Sequence, residues 1–271
     1  RETLVTTVLD ARPEQVMMLS QSTWLPLIAA LTTGLFFLGF LIKVYSLAAL
    51  GALLTLGVLL VWLWTTGERR APDKLDAGRG LTLPVQHAAE RGPGWWGTLI
   101  TVLADASLFF SLVFAYFYLW LASPQWPPGG HGHGLLWPTV AGALLAVSWP
   151  VMELTRSANR RGSLWGLRLG LILAWLLGLG FLIIQVWVLW DYGIAPWEHA
   201  YASLVHTLTG FHLLHLLIAL LMGGFVLVRS GFGYGGRHRP QELNVTLLFW
   251  NYTVLQGLVV FAVVHLFPRL S

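Results

Sequence analysis

Residues 100–120 read ITVLADASLFFSLVFAYFYLW, an uncharged aliphatic and aromatic run broken by one acid, Asp105. Twenty-odd apolar residues suffice for a helix to cross the hydrocarbon of a bilayer. An acid held inside such a run is costly, so it faces protein or water, finds a partner and marks function. At about 100° per residue, Thr98, Thr101, Asp105, Phe109, Leu112 and Tyr116 share one stripe of this helix. A rise of about 1.5 Å per residue from Trp95 puts Asp105 roughly 15 Å deep, near the membrane middle. Three readings of the acid compete: a proton carrier, a structural hydrogen bond to a neighbouring helix, or an acid lining a lipid or water cavity. A desolvated carboxyl can stay protonated and act as a donor.

Six more apolar runs flank this one, so the fold class is all-α and polytopic. The expected spans are 24–42, 47–64, 95–121, 136–154, 164–190, 200–228 and 243–267. Several exceed the length of a perpendicular crossing, which predicts tilt. The organisation expected is an N-terminal linker (1–23), a two-helix bundle (24–64), a polar loop (65–94) and a five-helix bundle (95–271). The 271 residues are 56% hydrophobic and 10% charged, a membrane composition. All of the 16 lysines and arginines except Lys43 and Arg269 fall on one side of the alternating loops. The positive-inside rule then places the N-terminus inside and the C-terminus outside. The net charge of +4 reflects this topology and implies no nucleic-acid partner. Tryptophans such as Trp24, Trp95, Trp126, Trp137, Trp190 and Trp197 sit near span ends as interfacial anchors. The opening RETLVTTVLDARPEQ is read as an incomplete start, without the apolar core of a signal peptide.

There is no cysteine, which excludes disulfides, iron–sulfur clusters and thiolate-held copper or zinc. The sixth span contains HTLTGFHLLHLL, in which His212 and His215 are three apart and share a face while His206 points away. Hydrogen bonds between helices are the plain reading of these histidines. The alternative is redox: His206 and His265, near the outer ends of the last two spans, would clamp a haem between them as in a membrane cytochrome b carrier. A third class is a proton-coupled transporter using Asp105, although broken helices and paired intramembrane charges are not evident. His131 and His133 belong to a Gly/Pro loop with no carboxylate or cysteine beside them, so a solvated loop is favoured over a metal site. Glu153 is expected to meet interfacial water or Arg156, three positions on. Arg160 and Arg161 are expected to face anionic headgroups. Gly166, Gly170, Gly178 and Gly180 are read as packing faces. Phosphate-binding glycine loops and nucleophile–base pairs are not seen.

Three segments together resemble subunit III of haem–copper cytochrome c oxidases. WGTLITVLADASLFFSLVFAYFYLW is similar to that family's third helix, with Asp105 where an acid, usually Glu, precedes an aromatic run. HTLTGFHLLHLLIALLMGG matches its Thr-Gly-Phe-His-x-x-His pattern at Thr209, Gly210, Phe211, His212 and His215. LFWNYTVLQGLVVFAVVHLF resembles the last helix, where the usual Trp-His-Phe-Val-Asp is Trp250, Asn251, Tyr252, Thr253 and Val254. The opening resembles the linker of oxidases whose subunits I and III are fused. The resemblance implies an accessory subunit without haem or copper, packed on catalytic subunit I and indirectly on subunit II. Haem and copper belong to those neighbours, and cytochrome c or a similar donor supplies electrons to the complex. Phospholipid is implied in the cleft between the two bundles, as are support for oxygen access and proton uptake and a bacterial-type plasma membrane. The complex would reduce oxygen and pump protons. The functional acid is then Asp105, with Thr98, Thr101, Tyr116, His212, His215, Trp250 and Asn251 between helices or along the lipid cleft.

Overall fold

A computed structural model describes residues 2–18, 22–65, 74–78, 80–85, 92–128, 134–191, 193–234 and 240–270. His131 and His133 lie outside the described residues. Among the described residues, seven helices appear where the apolar runs predict them: α1 (Leu25–Leu41), α2 (Tyr45–Thr65), α3 (Pro93–Ala122), α4 (Leu136–Arg160), α5 (Leu164–Asp191), α6 (Ala200–Gly231) and α7 (Gln241–Phe261). A π turn (Ala262–Leu266) and a 3-10 turn (Phe267–Arg269) carry α7 onward. Among the described residues, five helical stretches are long and apolar enough to cross a membrane: α2, α3, α5, α6 and the run Gln241–Arg269. Helix α1 is apolar but has only 17 residues, and α4 is diluted by Ser148, Glu153, Thr155, Arg156 and Asn159.

The chain divides into two compact units, Arg1–Gln86 and His87–Ser271. In the first, α1 and α2 form an antiparallel pair closed by a short turn in which Lys43 adopts φ 60°. The pair packs through glycine: a Cβ on Gly51 would stand within 2.7 Å of the Phe36 backbone. The same unit contains strands that an all-helical reading does not predict. β1 (Glu2–Thr6) pairs antiparallel with β2 (Pro13–Met18), and β3 (Lys74–Asp76) with β4 (Thr82–Pro84). A Val16–Val85 bridge joins the two hairpins, and Val16, Leu83 and Val85 are buried. The expected N-terminal linker is therefore largely hairpin. Its turn hides from inspection because Ala11, at φ 51°, takes the left-handed position that Gly or Asn usually signals.

The second unit is the bundle α3–α7. Local chemistry sets its helix ends. Pro93, whose fixed φ suits a first helical turn, opens α3. The Ser163 hydroxyl accepts from Gly166 N at 3.1 Å to open α5, and His199 Nδ1 accepts from Ala202 N at 3.0 Å to cap α6. Two apolar clusters form the core. One, across α4, α5, α6 and α7, centres on Leu145, Met152, Leu216 and Trp250. The other, across α3, α6 and α7, centres on Phe109, Tyr116, Leu208 and Val264. The polar residues described next lie where α3, α6 and α7 meet.

Candidate functional site: a buried carboxylate shared by three helices

Phe109 of α3 stacks on Phe211 of α6, with rings 6.3 Å apart and 11° from parallel. One turn from each ring, Asp105 and His215 then face each other, and His215 Nε2 lies 3.0 Å from Asp105 Oδ2. From α7, the Tyr252 hydroxyl donates to the same oxygen at 2.5 Å. His215 is held on its other side as well: Nδ1 is 2.8 Å from the Phe211 carbonyl. The imidazole is sandwiched by Phe211 (4.6 Å) and Phe249 (5.9 Å). The His215 side chain is 9% exposed and that of Asp105 22%, so the acid forms the accessible edge.

The hydrogen bonds continue along α7. Gln256 Nε2 donates to the Tyr252 hydroxyl at 3.3 Å, and Gln256 Oε1 lies 3.3 Å from His212 Nδ1. His212 is fully buried, edge-on to Phe181 of α5. It approaches α7 so closely that a Cβ on Gly257 would stand 2.6 Å from its ring. Among the described residues, His212 Nε2 and Thr209 Oγ1 are buried without a hydrogen-bond partner.

Neighbouring α7 residues reach the opposite way, to α4. Trp250 Nε1 donates to Ser148 Oγ at 3.0 Å, and Asn251 Nδ2 donates to Glu153 Oε1 at 3.0 Å. Arg156 meets Glu153 at 3.2 Å, the partner its spacing predicts. Where α6 ends and α7 begins, buried Arg229 pairs with Glu242 at 3.1 Å and lies 4.2 Å from the Tyr234 ring. Arg168 donates to the Ser230 carbonyl at 2.8 Å. Gly170 packs directly against Thr155.

The eight residues singled out from sequence therefore separate. Asp105, His212 and His215 form one linked cluster, and Trp250 and Asn251 tie α7 to α4. Tyr116, fully buried, accepts from Trp126 Nε1 at 3.0 Å in an aromatic group three turns further along α3. Thr98 and Thr101 turn their hydroxyls back onto the carbonyls of Gly94 (2.8 Å) and Gly97 (2.9 Å), bonds within their own helix. His206 likewise directs Nδ1 at Ala202 O, 2.8 Å away. His265 is buried in the π turn beside Phe261. Tyr252 and Gln256 complete the cluster and were not foreseen as site residues. The available signal was their four-residue spacing, which puts both polar groups on one face of α7.

These features define the class: an integral membrane protein whose helical bundle is laced by a buried acid, two histidines and a tyrosine. No protein-family model matches the chain. Similar proteins are nonetheless found. The chain is 29% identical over 173 residues to cytochrome c oxidase subunit 3 of Synechocystis sp., covering 63% of this chain and 74% of that protein. It is 25% identical over 194 residues to that of Thermostichus vulcanus, covering 70% and 96%. A probable cytochrome c oxidase subunit 3 of Mycobacterium tuberculosis is 26% identical over 177 residues, covering 62% and 85%. The chain is thus similar to cytochrome c oxidase subunit 3, the likeness that its three helical motifs indicate.

Proposed function

We propose that the chain is a seven-span accessory subunit of a haem–copper terminal oxidase, lodged in a bacterial-type plasma membrane with its N-terminus inside. It packs on the catalytic subunit I, reaches subunit II only indirectly, and carries no haem or copper of its own. The complex takes electrons from cytochrome c or a similar donor, reduces oxygen and pumps protons. This chain holds phospholipid and supports oxygen access and proton uptake by its neighbour.

The observation that carries this reading is the Asp105 cluster, set on the helices whose motifs resemble subunit III. A carboxyl in the hydrocarbon region is expensive unless satisfied, and here it is held by side chains from two other helices. Beside its accessible edge α3 exposes Thr101 and Leu108, while Ile100, Leu103, Phe110 and Phe114 cover the opposite face of the helix with a surface suited to lipid or an apolar membrane partner. The arginines that close α4, Arg160 and Arg161, suit anionic headgroups at the inner surface.

Purification in mild detergent tests the assignment. The chain is expected to bring with it a haem- and copper-containing partner, and to show no Soret absorbance once separated. A stoichiometric Soret band on the isolated chain would favour the cytochrome b alternative through His206 and His265. Proton movement by the chain alone in vesicles would favour a transporter.

A further inference from the structure

The hydrogen-bond directions around Asp105 fix the number of protons the cluster holds. The Phe211 carbonyl only accepts, so His215 Nδ1 carries a hydrogen. Between His215 Nε2 and Asp105 Oδ2, 3.0 Å apart, one further hydrogen is required. It makes either an imidazolium beside a carboxylate or a neutral imidazole beside a carboxylic acid. Both forms have zero net charge, and one proton passing between Oδ2 and Nε2 interconverts them without other change.

The tyrosine sets the direction of the rest. Its single hydroxyl hydrogen goes to Asp105, so its oxygen accepts from Gln256 Nε2. Gln256 then presents Oε1 to His212, whose Nδ1 must carry the hydrogen. Reversing the whole chain would put a proton on Oδ2 directed at tyrosine and a second on His215 Nε2, leaving a net positive charge buried among Phe211, Phe249 and Phe109. An amide passes a proton along only by becoming an imidic acid, so Gln256 transmits hydrogen bonds and not protons.

We propose that Asp105 and His215, steadied by Tyr252, form a binding site for one exchangeable proton that enters at the exposed edge of Asp105, and that Gln256 bars its passage to His212. Among the described residues, the titratable groups facing this site are Asp105 from α3, His215 and His212 from α6 and Tyr252 from α7. Glu153 of α4 is engaged instead with Asn251 and Arg156. The site is a one-door store. It can take a proton from, or return it to, whatever borders the outer edge of α3, and it does not conduct along α7. This inference stands on the five-helix unit alone and holds whichever complex the chain joins.

Nitrogen-15 NMR of the full chain, purified with its bound partners in lipid and labelled at histidine, tests it. His215 is expected to show a protonated Nδ1 and an Nε2 shifted by a shared proton. His212 is expected as the neutral tautomer with hydrogen on Nδ1. On transfer to heavy water, the His215 Nε2 proton should exchange before the His212 Nδ1 proton. Gln256→Glu, whose carboxyl can relay protons, should bring the two rates together, whereas Gln256→Leu should not. A wild-type His215 with a bare Nε2 insensitive to Asp105→Asn, or simultaneous exchange of both histidines, would overturn the proposal. The wild-type measurements decide the matter even if a Gln256 variant does not assemble.

Discussion

His215 and Asp105 are 3.0 Å apart across α6 and α3, and the acid oxygen that the imidazole meets is the one that receives the Tyr252 hydroxyl. Three helices therefore converge on a single carboxyl oxygen. In a bilayer no water competes for such groups, yet measured interhelical hydrogen bonds remain modest because the separated helices find other partners. The cluster is better understood as fixing which helix faces meet than as a large source of stability.

Tyr252→Phe should remove one donor to Asp105 and one acceptor for Gln256 while preserving the ring. A loss of about 1 kcal/mol is expected. In a double-mutant cycle with Asp105→Asn, the two changes should be clearly non-additive. Reversible unfolding in bicelles or mixed micelles reads both values, and strict additivity would show that the hydroxyl and the acid are not coupled.

Gly257→Ala should be disproportionately costly for one methyl group. The new carbon would press on the His212 ring and the Leu145 side chain, an overpacking that costs roughly 1–3 kcal/mol. Gly210→Ala on α6 is the control, since its Cβ would have open space around it. That change should be neutral or gain up to about 1 kcal/mol from helix propensity. Thermal stability of the two purified variants gives the comparison.

The Arg229–Glu242 pair should respond asymmetrically. The arginine side chain is 4% exposed and the glutamate 41%. Glu242→Gln leaves a buried guanidinium with weaker compensation, moderated by the Tyr234 and Phe225 rings. Arg229→Met leaves a glutamate that water can reach. The first change is expected to destabilise more than the second, and unfolding midpoints rank them.

The helices were legible in the sequence because lipid-facing runs must be apolar around their whole circumference, and loops must hold the charge. Asp105, His212 and His215 were legible for the same reason: a titratable group stands out in such a run. Tyr252 and Gln256 did not stand out, since a tyrosine or glutamine in an apolar helix carries no charge and fits an interfacial or packing role equally well. Tyr252 was visible only as a departure from Trp-His-Phe-Val-Asp, and its consequence depends on where α3 places Asp105. Thr98 and Thr101 show what a stripe leaves open. Their spacing matches the Asp105 stripe, but a helical threonine can satisfy its hydroxyl on the preceding turn, which the stripe cannot reveal. The β1–β2 hairpin was hidden by a turn built on Ala11 rather than glycine.

Sustained turnover of the oxidase containing Asp105→Asn, measured beside the wild-type complex as oxygen uptake over many catalytic cycles, tests the central claim most directly. The variant complex is expected to assemble with its full haem content yet to turn over more slowly or lose activity sooner. Indistinguishable rates and lifetimes, with the variant chain present in full stoichiometry, would contradict it.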